Sequence, residues 1–288
     1  MSDAPHLIEP KTHDLGGGFV VRRLLPSAAR QAVGPFLFFD HFGPITAQPG
    51  DNHDVRPHPH IGLATVTYLF DGEIMHRDSV GSEQPIRPGE VNWMVAGSGI
   101  THSERFERAR AEGGSLHGIQ AWVALPAEFE ETEPDFTHFG ASSLPRLEED
   151  AARGRLIAGS AYGAMSSVRT FSPMFYLHWD LAPGARVALP SGHRERAVYV
   201  AAGEVDIAGQ AVRAGQMAII AEGGAPVVHA AVPSTVLALG GEPLGPRFID
   251  WNFVSSSKDR IEQAKADWRA GRMKLPDLDH DEFIPLPD

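Results

Sequence analysis

The sequence predicts an all-β protein made of two small antiparallel barrels followed by one C-terminal helix. Short β-branched and aromatic runs recur between turn residues, which favours an antiparallel barrel or sandwich over a bundle. Glycine (30) and proline (23) are abundant in a chain of 288 residues. The second half also repeats the turn pattern of the first.

Taken in order, residues 19–25 (Phe-Val-Val-Arg-Arg-Leu-Leu) read as a strand ended by Pro26, and 34–42 form another apolar, aromatic stretch. Residues 64–70 are β-branched and aromatic, Asp71-Gly72 is a turn, and 73–78 lead away from it. A turn over 81–84 and the Pro88-Gly89 pair precede a strand over 90–95; Gly97 and Gly99 break it, and 118–124 make one more. From 127 to 155 the composition is acidic and proline-containing without long apolar alternation, so a linker is expected there. Strand signals resume over 175–181, 197–201, 203–207, 216–221 and 235–239.

The repeat is weak but ordered. Val66-Thr67-Tyr68 with Asp71-Gly72-Glu73-Ile74 parallels Val198-Tyr199 with Ala202-Gly203-Glu204-Val205, the Tyr and Gly four apart in both. Ile86-Arg87-Pro88-Gly89-Glu90-Val91 parallels Val212-Arg213-Ala214-Gly215-Gln216-Met217. A duplicated barrel follows. Near the C-terminus Ser256 is the expected N-cap, with Asp259 in the first turn. Ile261, Ala264 and Trp268 recur at helical spacing, and Gly271 is a stop. The closing Phe283-Ile284-Pro285-Leu286-Pro287 segment is expected to be pinned to another surface of its own protein.

Composition excludes several functions. The net charge of −12 is scattered and no basic block occurs, which argues against a nucleic-acid partner. With no cysteine there is no disulfide, thiolate metal site or cysteine nucleophile. Neither a signal pattern over residues 1–15 nor an apolar run of membrane-spanning length is present, so a cytoplasmic protein with no membrane partner is expected. No Gly-rich phosphate loop precedes a helix, and Ser98 between Gly97 and Gly99 lacks the nucleophile-elbow spacing.

The chemistry concentrates in Arg56-Pro57-His58-Pro59-His60 and Gly99-Ile100-Thr101-His102-Ser103-Glu104. Alternate residues of a strand share a face, so His58 pairs with His60 and His102 with Glu104. Taken singly, each is an ordinary half-buried histidine or a surface acid. Two same-face pairs in one cysteine-free barrel point instead to a metal centre with open positions. Pro57 and Pro59 place the first pair at a barrel mouth or edge. Three imidazoles and a carboxylate suit Fe(II), Mn(II), Co(II), Ni(II), Cu(II) or Zn(II). In the repeat register the places of His58 and His60 fall on Leu189 and Ser191, and that of His102 near Val228; His193 and His229 lie close by but are not spaced as a pair. The second barrel therefore lacks the ligands. His76 and Asp78 form another same-face pair, either orienting a ligand imidazole or closing a strand end. Trp93 is read as core, with Asn92 and Met94 on the other face. Asp40, His41 and Arg56 are further candidates near the mouth.

These residues resemble a known family. His58-Pro59-His60-x-Gly62-x-x-Thr65-Val66-Thr67-Tyr68, then Gly72, then His76-x-Asp78-Ser79-x-Gly81 are similar to the pirin signature. So is Pro88-Gly89-x-Val91-x-Trp93-Met94-x-Ala96-Gly97-x-Gly99-Ile100-x-His102-Ser103-Glu104. Trp251-Asn252-Phe253-Val254-Ser255-Ser256 and the helix after it also resemble pirins. The resemblance implies a bicupin of two stacked, jelly-roll-type β-barrels in the cupin superfamily. It implies a metal-binding domain over 1–135, a linker over 136–160, a degenerate cupin domain over 161–254, and a helix and tail over 255–288 packing back on the first domain. Carried over, the metal ligands are His58, His60, His102 and Glu104, and iron is the usual metal. Ordinary cupins take their carboxylate shortly after the His-x-His pair, where this chain has Ala64-Thr65, so Glu104 supplies it.

Several pirins are similar to quercetin 2,3-dioxygenases, which insert O2 into a flavonol, open its central ring and release carbon monoxide. Others are regulatory binding proteins, partners of transcription or of a metabolic enzyme. Two expectations follow. One is a metal-dependent dioxygenase of quercetin-like flavonols using O2, with Glu104 as candidate base. The alternative is a non-catalytic, metal-dependent regulator that binds a protein partner.

Overall fold

A computed structural model describes residues 4–16, 18–224 and 226–287, and strands dominate it. The chain divides into two compact units. One comprises Met1–Thr12, Arg22–Asp40 and Ser142–Leu244; the other comprises His13–Val21, His41–Ala141 and Gly245–Asp288. The units therefore do not follow the chain in simple succession. Strand His6–Ile8, for instance, pairs antiparallel with Met217–Ile220.

In the unit containing Ser142–Leu244, one sheet runs His6–Ile8, Met217–Ile220, Glu195–Ala202, Ser234–Gly241, Met174–Leu181, Ala152–Ala161, Arg146–Glu149. A second runs Arg186–Ala188, Val227–Ala230, Glu204–Ile207, Gln210–Arg213. The interior is apolar: Trp179, Val187, Leu189, Val198 and Val228 are all buried in one cluster.

The other unit repeats this plan. Its small sheet runs Val55–His60, Ile100–Arg105, Ile74–Asp78, Glu83–Ile86, which is the same neighbour order at corresponding places in the chain. Its larger sheet contains Asp135–Phe139, Val91–Val95, Leu63–Asp71 and Gly114–Ala124, continuing through Phe36–Ala47, Val20–Leu25 and Lys11–Asp14. The last three strands carry residues of both units. The two-barrel, mostly β architecture expected from the turn pattern is thus what the chain adopts.

Several elements differ from expectation. The 127–155 stretch is structured: it holds the 3-10 turn Ala127–Phe129, strands Asp135–Phe139 and Arg146–Glu149, and the start of Ala152–Ala161. The 136–160 segment is accordingly no extended connector, and the division at Ala141/Ser142 falls inside it. Glu83–Ile86, whose first two residues read as part of a turn, is also a strand, and a short helix, Glu107–Glu112, went unforeseen. Three of these strands lie at the ends of their sheets. At an edge, charge and proline are tolerated and apolar alternation is not imposed.

The C-terminal helix is Lys258–Arg269, and its cap is Ser257, whose hydroxyl accepts from the Arg260 N–H at 3.4 Å. Ser256, the expected cap, instead directs its N–H and hydroxyl to the Glu130 carboxylate, both at 2.9 Å. The helix buries Ile261, Ala264 and Trp268 against Ile61 and Phe253. Each large side chain so buried contributes roughly 1.5–3 kcal/mol. The closing segment is pinned as well: the Trp268 indole N–H donates to Ile284 O at 3.0 Å, and Ile284 N–H to Pro57 O at 2.8 Å. No helix among the described residues is long and apolar enough to cross a membrane.

Gly62, two residues past His60, connects this packing to the barrel. Its φ is +70°, and a Cβ there would overlap the Val254 carbonyl oxygen. Its own N–H donates to Gly97 O at 2.9 Å. Both the left-handed backbone and the overlap penalise a side chain. Gly62→Ala is therefore expected to lower stability by roughly 2–4 kcal/mol, measured by urea unfolding. A loss below about 0.5 kcal/mol, the range of an indifferent surface change, would show that this close approach does not constrain the fold.

Candidate metal centre

Strands Val55–His60 and Ile100–Arg105 pair antiparallel, with His102 opposite His58 and Ile100 opposite His60. Alternation then places His58 and His60 on one face, with His102 across from the first. The register slips between His102 and Glu104, so Glu104 stands opposite Val55. Two residues, Arg56 and Pro57, thereby oppose the single Ser103, which is a β-bulge. Pro57 has no N–H to give to the ladder, so the bulge falls where a regular bond is already missing.

The three imidazoles converge. Ring centroids are 4.4 Å apart for His58–His102, 5.0 Å for His58–His60 and 5.1 Å for His60–His102. One ring nitrogen from each lies within 4.8 Å of those of the other two. They are 7%, 1% and 1% exposed in the order His58, His60, His102.

Hydrogen bonds set which nitrogen is free. His58 Nδ1 donates to the Arg56 carbonyl at 2.9 Å, and His60 Nδ1 donates to the Asn252 carbonyl at 3.1 Å. A carbonyl only accepts, so in the neutral rings the lone pair resides on Nε2. His102 Nε2 is buried and has no hydrogen-bond partner. Burial pushes the His58 pKa down to about 4, partly offset by its carbonyl bond. Burial, followed by the neighbouring imidazoles, holds His60 and His102 well below the ordinary histidine value. All three are therefore neutral near pH 7, the form that binds metal. A buried imidazole nitrogen without a partner is costly, and a cation shared by three Nε2 atoms would satisfy it. The residues present fit a divalent metal ion.

Glu104 stands apart from that group of three. Its Oε1 accepts from the Gln120 amide at 3.1 Å, with the Thr67 hydroxyl at 3.4 Å. Thr67 makes its shorter bond, 2.7 Å, to Gln120 Oε1. Desolvation raises the Glu104 pKa to about 7, only partly countered by these two donors.

The remaining candidates sort clearly. His76 Nε2 lies 2.9 Å from Asp78 Oδ2, and His76 Nδ1 is 3.4 Å from His102 Nδ1, so this pair backs the cluster. Trp93 and Met94 are buried, and Asn92 accepts from His138 at 2.8 Å. Asp40 is engaged by Arg23 at 2.8 and 2.7 Å, and His41 meets His117 at 2.7 Å; neither joins the cluster. Arg56 faces Glu282 at 3.9 Å. Sequence reasoning missed Phe136, stacked on His76 at 4.3 Å, and Trp122, edge-on to His60 at 5.1 Å. It also missed Gln120 and Thr67. The available signal was Thr65 and Thr67 alternating within an apolar strand, both buried.

Two barrels of one topology, with a three-histidine cluster that among the described residues occurs only in the first, define a bicupin with a single candidate metal centre. Residues 18–123 match the family described as Pirin, and residues 176–274 match the Pirin C-terminal cupin domain. The chain belongs to the pirin family. It is 61% identical to a pirin-like protein of Caulobacter vibrioides over 98% of this chain and 99% of that one. It is 33% identical to human pirin over 88% of each chain. The crystal structure of a quercetin 2,3-dioxygenase from Acinetobacter baumannii matches with a TM-score of 0.91 at 30% identity, covering 99% of this chain and 95% of that one.

The raised pKa of Glu104 has a thermodynamic consequence. A carboxyl that titrates near 7 when folded and near 4.5 when unfolded favours the folded state below pH 4.5. That contribution is lost as pH rises through 7. Metal-free protein should therefore lose on the order of 2 kcal/mol between pH 5 and 8 relative to Glu104→Gln, whose side chain does not titrate. Paired urea unfolding curves at the two pH values measure this. Parallel pH profiles for the two proteins would place the Glu104 pKa near its ordinary value.

Proposed function

We propose that the protein is a metal-dependent dioxygenase that opens the central ring of quercetin-like flavonols with O2. The observation that carries the reading is the buried cluster of His58, His60 and His102, neutral and with converging ring nitrogens, in a chain similar throughout to a quercetin 2,3-dioxygenase structure. Iron(II) is the metal that the family resemblance implies, and three imidazoles with a nearby carboxylate suit it. A bound divalent ion would supply a site at which the flavonol oxygen and O2 meet and exchange electrons.

The chain's own side chains account for the rest. His58 and His60 are held by the backbone carbonyls of Arg56 and Asn252, so their orientation is set before any ion arrives. Glu104 is the carboxylate placed to take the proton of the flavonol 3-hydroxyl; burial raises its pKa to about 7 in the metal-free protein, and a bound divalent ion would draw it back down. The Gln120 amide fixes one of its oxygens and leaves the other for that proton or for the ion. Buried Trp122 against His60 limits water beside the cluster.

Protein loaded with Fe(II) and mixed with quercetin in air should bleach the flavonol absorption band and release one carbon monoxide per flavonol consumed. Chelation of the metal, or His58→Ala, should abolish both signals. Glu104→Gln is expected to slow turnover roughly 10²–10⁴-fold, the usual contribution of a positioned base. Equal rates for loaded wild type and His58→Ala would rule out the dioxygenase reading.

A further inference from the structure

Each of the three clustered imidazoles must present an unprotonated Nε2, and the chain uses different means to secure it. For His58 and His60 the means is a backbone carbonyl on Nδ1. His102 has no such carbonyl. Its Nδ1 faces another histidine, His76, at 3.4 Å.

The proton positions along this line follow from its far end. Asp78 is 1% exposed, and its Oδ1 accepts from the N–H groups of Val80 at 3.0 Å and Ser82 at 2.9 Å. Its Oδ2 accepts from His76 Nε2 at 2.9 Å. A carboxylate held by two backbone donors is a fixed acceptor, so the His76 proton sits on Nε2 and its Nδ1 carries a lone pair. The ring cannot turn freely, because Phe136 stacks on it with planes 13° apart. A lone pair facing His102 Nδ1 is satisfied only if that nitrogen holds the hydrogen. The lone pair of His102 then lies on Nε2, the buried atom that has no hydrogen-bond partner.

We propose that Asp78 and His76 are positioning residues that fix the tautomer of His102 through a side-chain relay and so hold its Nε2 ready for the metal. This rests on the metal-centre reading above. Pairing between strands builds the relay into the sheet, since His102 stands opposite Asp78 and Glu104 opposite His76. Neither residue belongs to the group of His58, His60 and His102, so their effect on it passes through the His102 ring.

The substitution Asp78→Asn tests the relay because it inverts the relay while keeping its shape. The amide oxygen remains with Val80 and Ser82, and the NH2 group replaces Oδ2 as a donor to His76 Nε2. The His76 proton then moves to Nδ1, and His102 must accept there and carry its own proton on Nε2. The first readout is the tautomer of His102 in metal-free protein, from long-range 1H–15N correlations of the imidazole. Wild type should show the Nδ1–H form and Asp78→Asn the Nε2–H form. His76→Phe, which removes the acceptor, should leave a mixture.

The second readout is Co(II) affinity by absorption titration, expected to fall roughly 10–100-fold in Asp78→Asn, the usual cost of losing a partner behind a ligand. An Nε2–H form in wild type would overturn the proposal. So would Co(II) affinity in Asp78→Asn within about twofold of wild type while His58→Ala loses binding. Co(II) binding unchanged in His58→Ala would overturn the metal centre itself, which is a distinct failure.

Discussion

The pairing of His102 opposite His58 is the constraint on which the centre depends. One cross-strand register brings a histidine of the second motif against the first motif, and strand alternation supplies His60. A slip of one residue would turn His102 to the other face and replace it with Ser103 or Thr101. The register is secured on both sides of the strand, by Val55–His60 on one and Ile74–Asp78 on the other. The same neighbours that set the register also bring His76 and Asp78 behind His102.

Topology alone does not make a site. The other unit has the corresponding four strands in the same order, with Arg186–Ala188 against Val227–Ala230. There Val187, Leu189 and Val228 occupy an apolar cluster. Apolar side chains gain free energy simply by leaving water. Buried imidazoles do so only if their nitrogens find partners, and His102 Nε2 finds none within the protein. That difference separates the apolar place of Val187, Leu189 and Val228 from the place of the three histidines, where an imidazole nitrogen is left for a ligand. Depressed histidine pKa values express the same desolvation, since each buried ring resists taking up charge.

Much of this was legible in the sequence because it rests on short-range rules. His58 and His60 on one face follow from strand periodicity, whereas the repeat register is two residues off: Val228 pairs with Val187, so Val187 and Leu189, not Leu189 and Ser191, stand at the places of His58 and His60. Trp268 and Ile261 declared the buried face of the helix through their spacing. What was not legible depended on partners distant in sequence. Asn252 is 192 residues from His60, and only folding brings its carbonyl to that ring. The bulge beside Pro57 belongs to a pair of strands rather than to either one, so equal spacing in His58-x-His60 and His102-x-Glu104 overstated the symmetry of the site. Edge strands such as Arg146–Glu149 were invisible because their residues are largely exposed and charged.

The C-terminal segment shows how such distant partners act together. Pro57, which with Arg56 forms the bulge and adjoins His58, accepts a bond from Ile284 N–H. Thr101, beside His102, donates its hydroxyl to the Lys274 carbonyl. Arg105, beside Glu104, makes a bidentate pair with Asp279 at 2.7 Å on both arms, under only 9% exposure. A two-pronged guanidinium–carboxylate pair fixes direction as well as distance. The tail thus grips both strands of the histidine cluster at residues adjoining the candidate ligands, while helix Lys258–Arg269 packs on Ile61 next to His60. Strands that carry prolines and a bulge forfeit ladder hydrogen bonds; the Ile284 N–H supplies a backbone bond to Pro57, and the Thr101 and Arg105 side chains add bonds from outside the sheet. A metal centre needs its ligands held to within a fraction of an ångström. In this chain that rigidity comes from a segment some 170 residues further along rather than from the ladder alone.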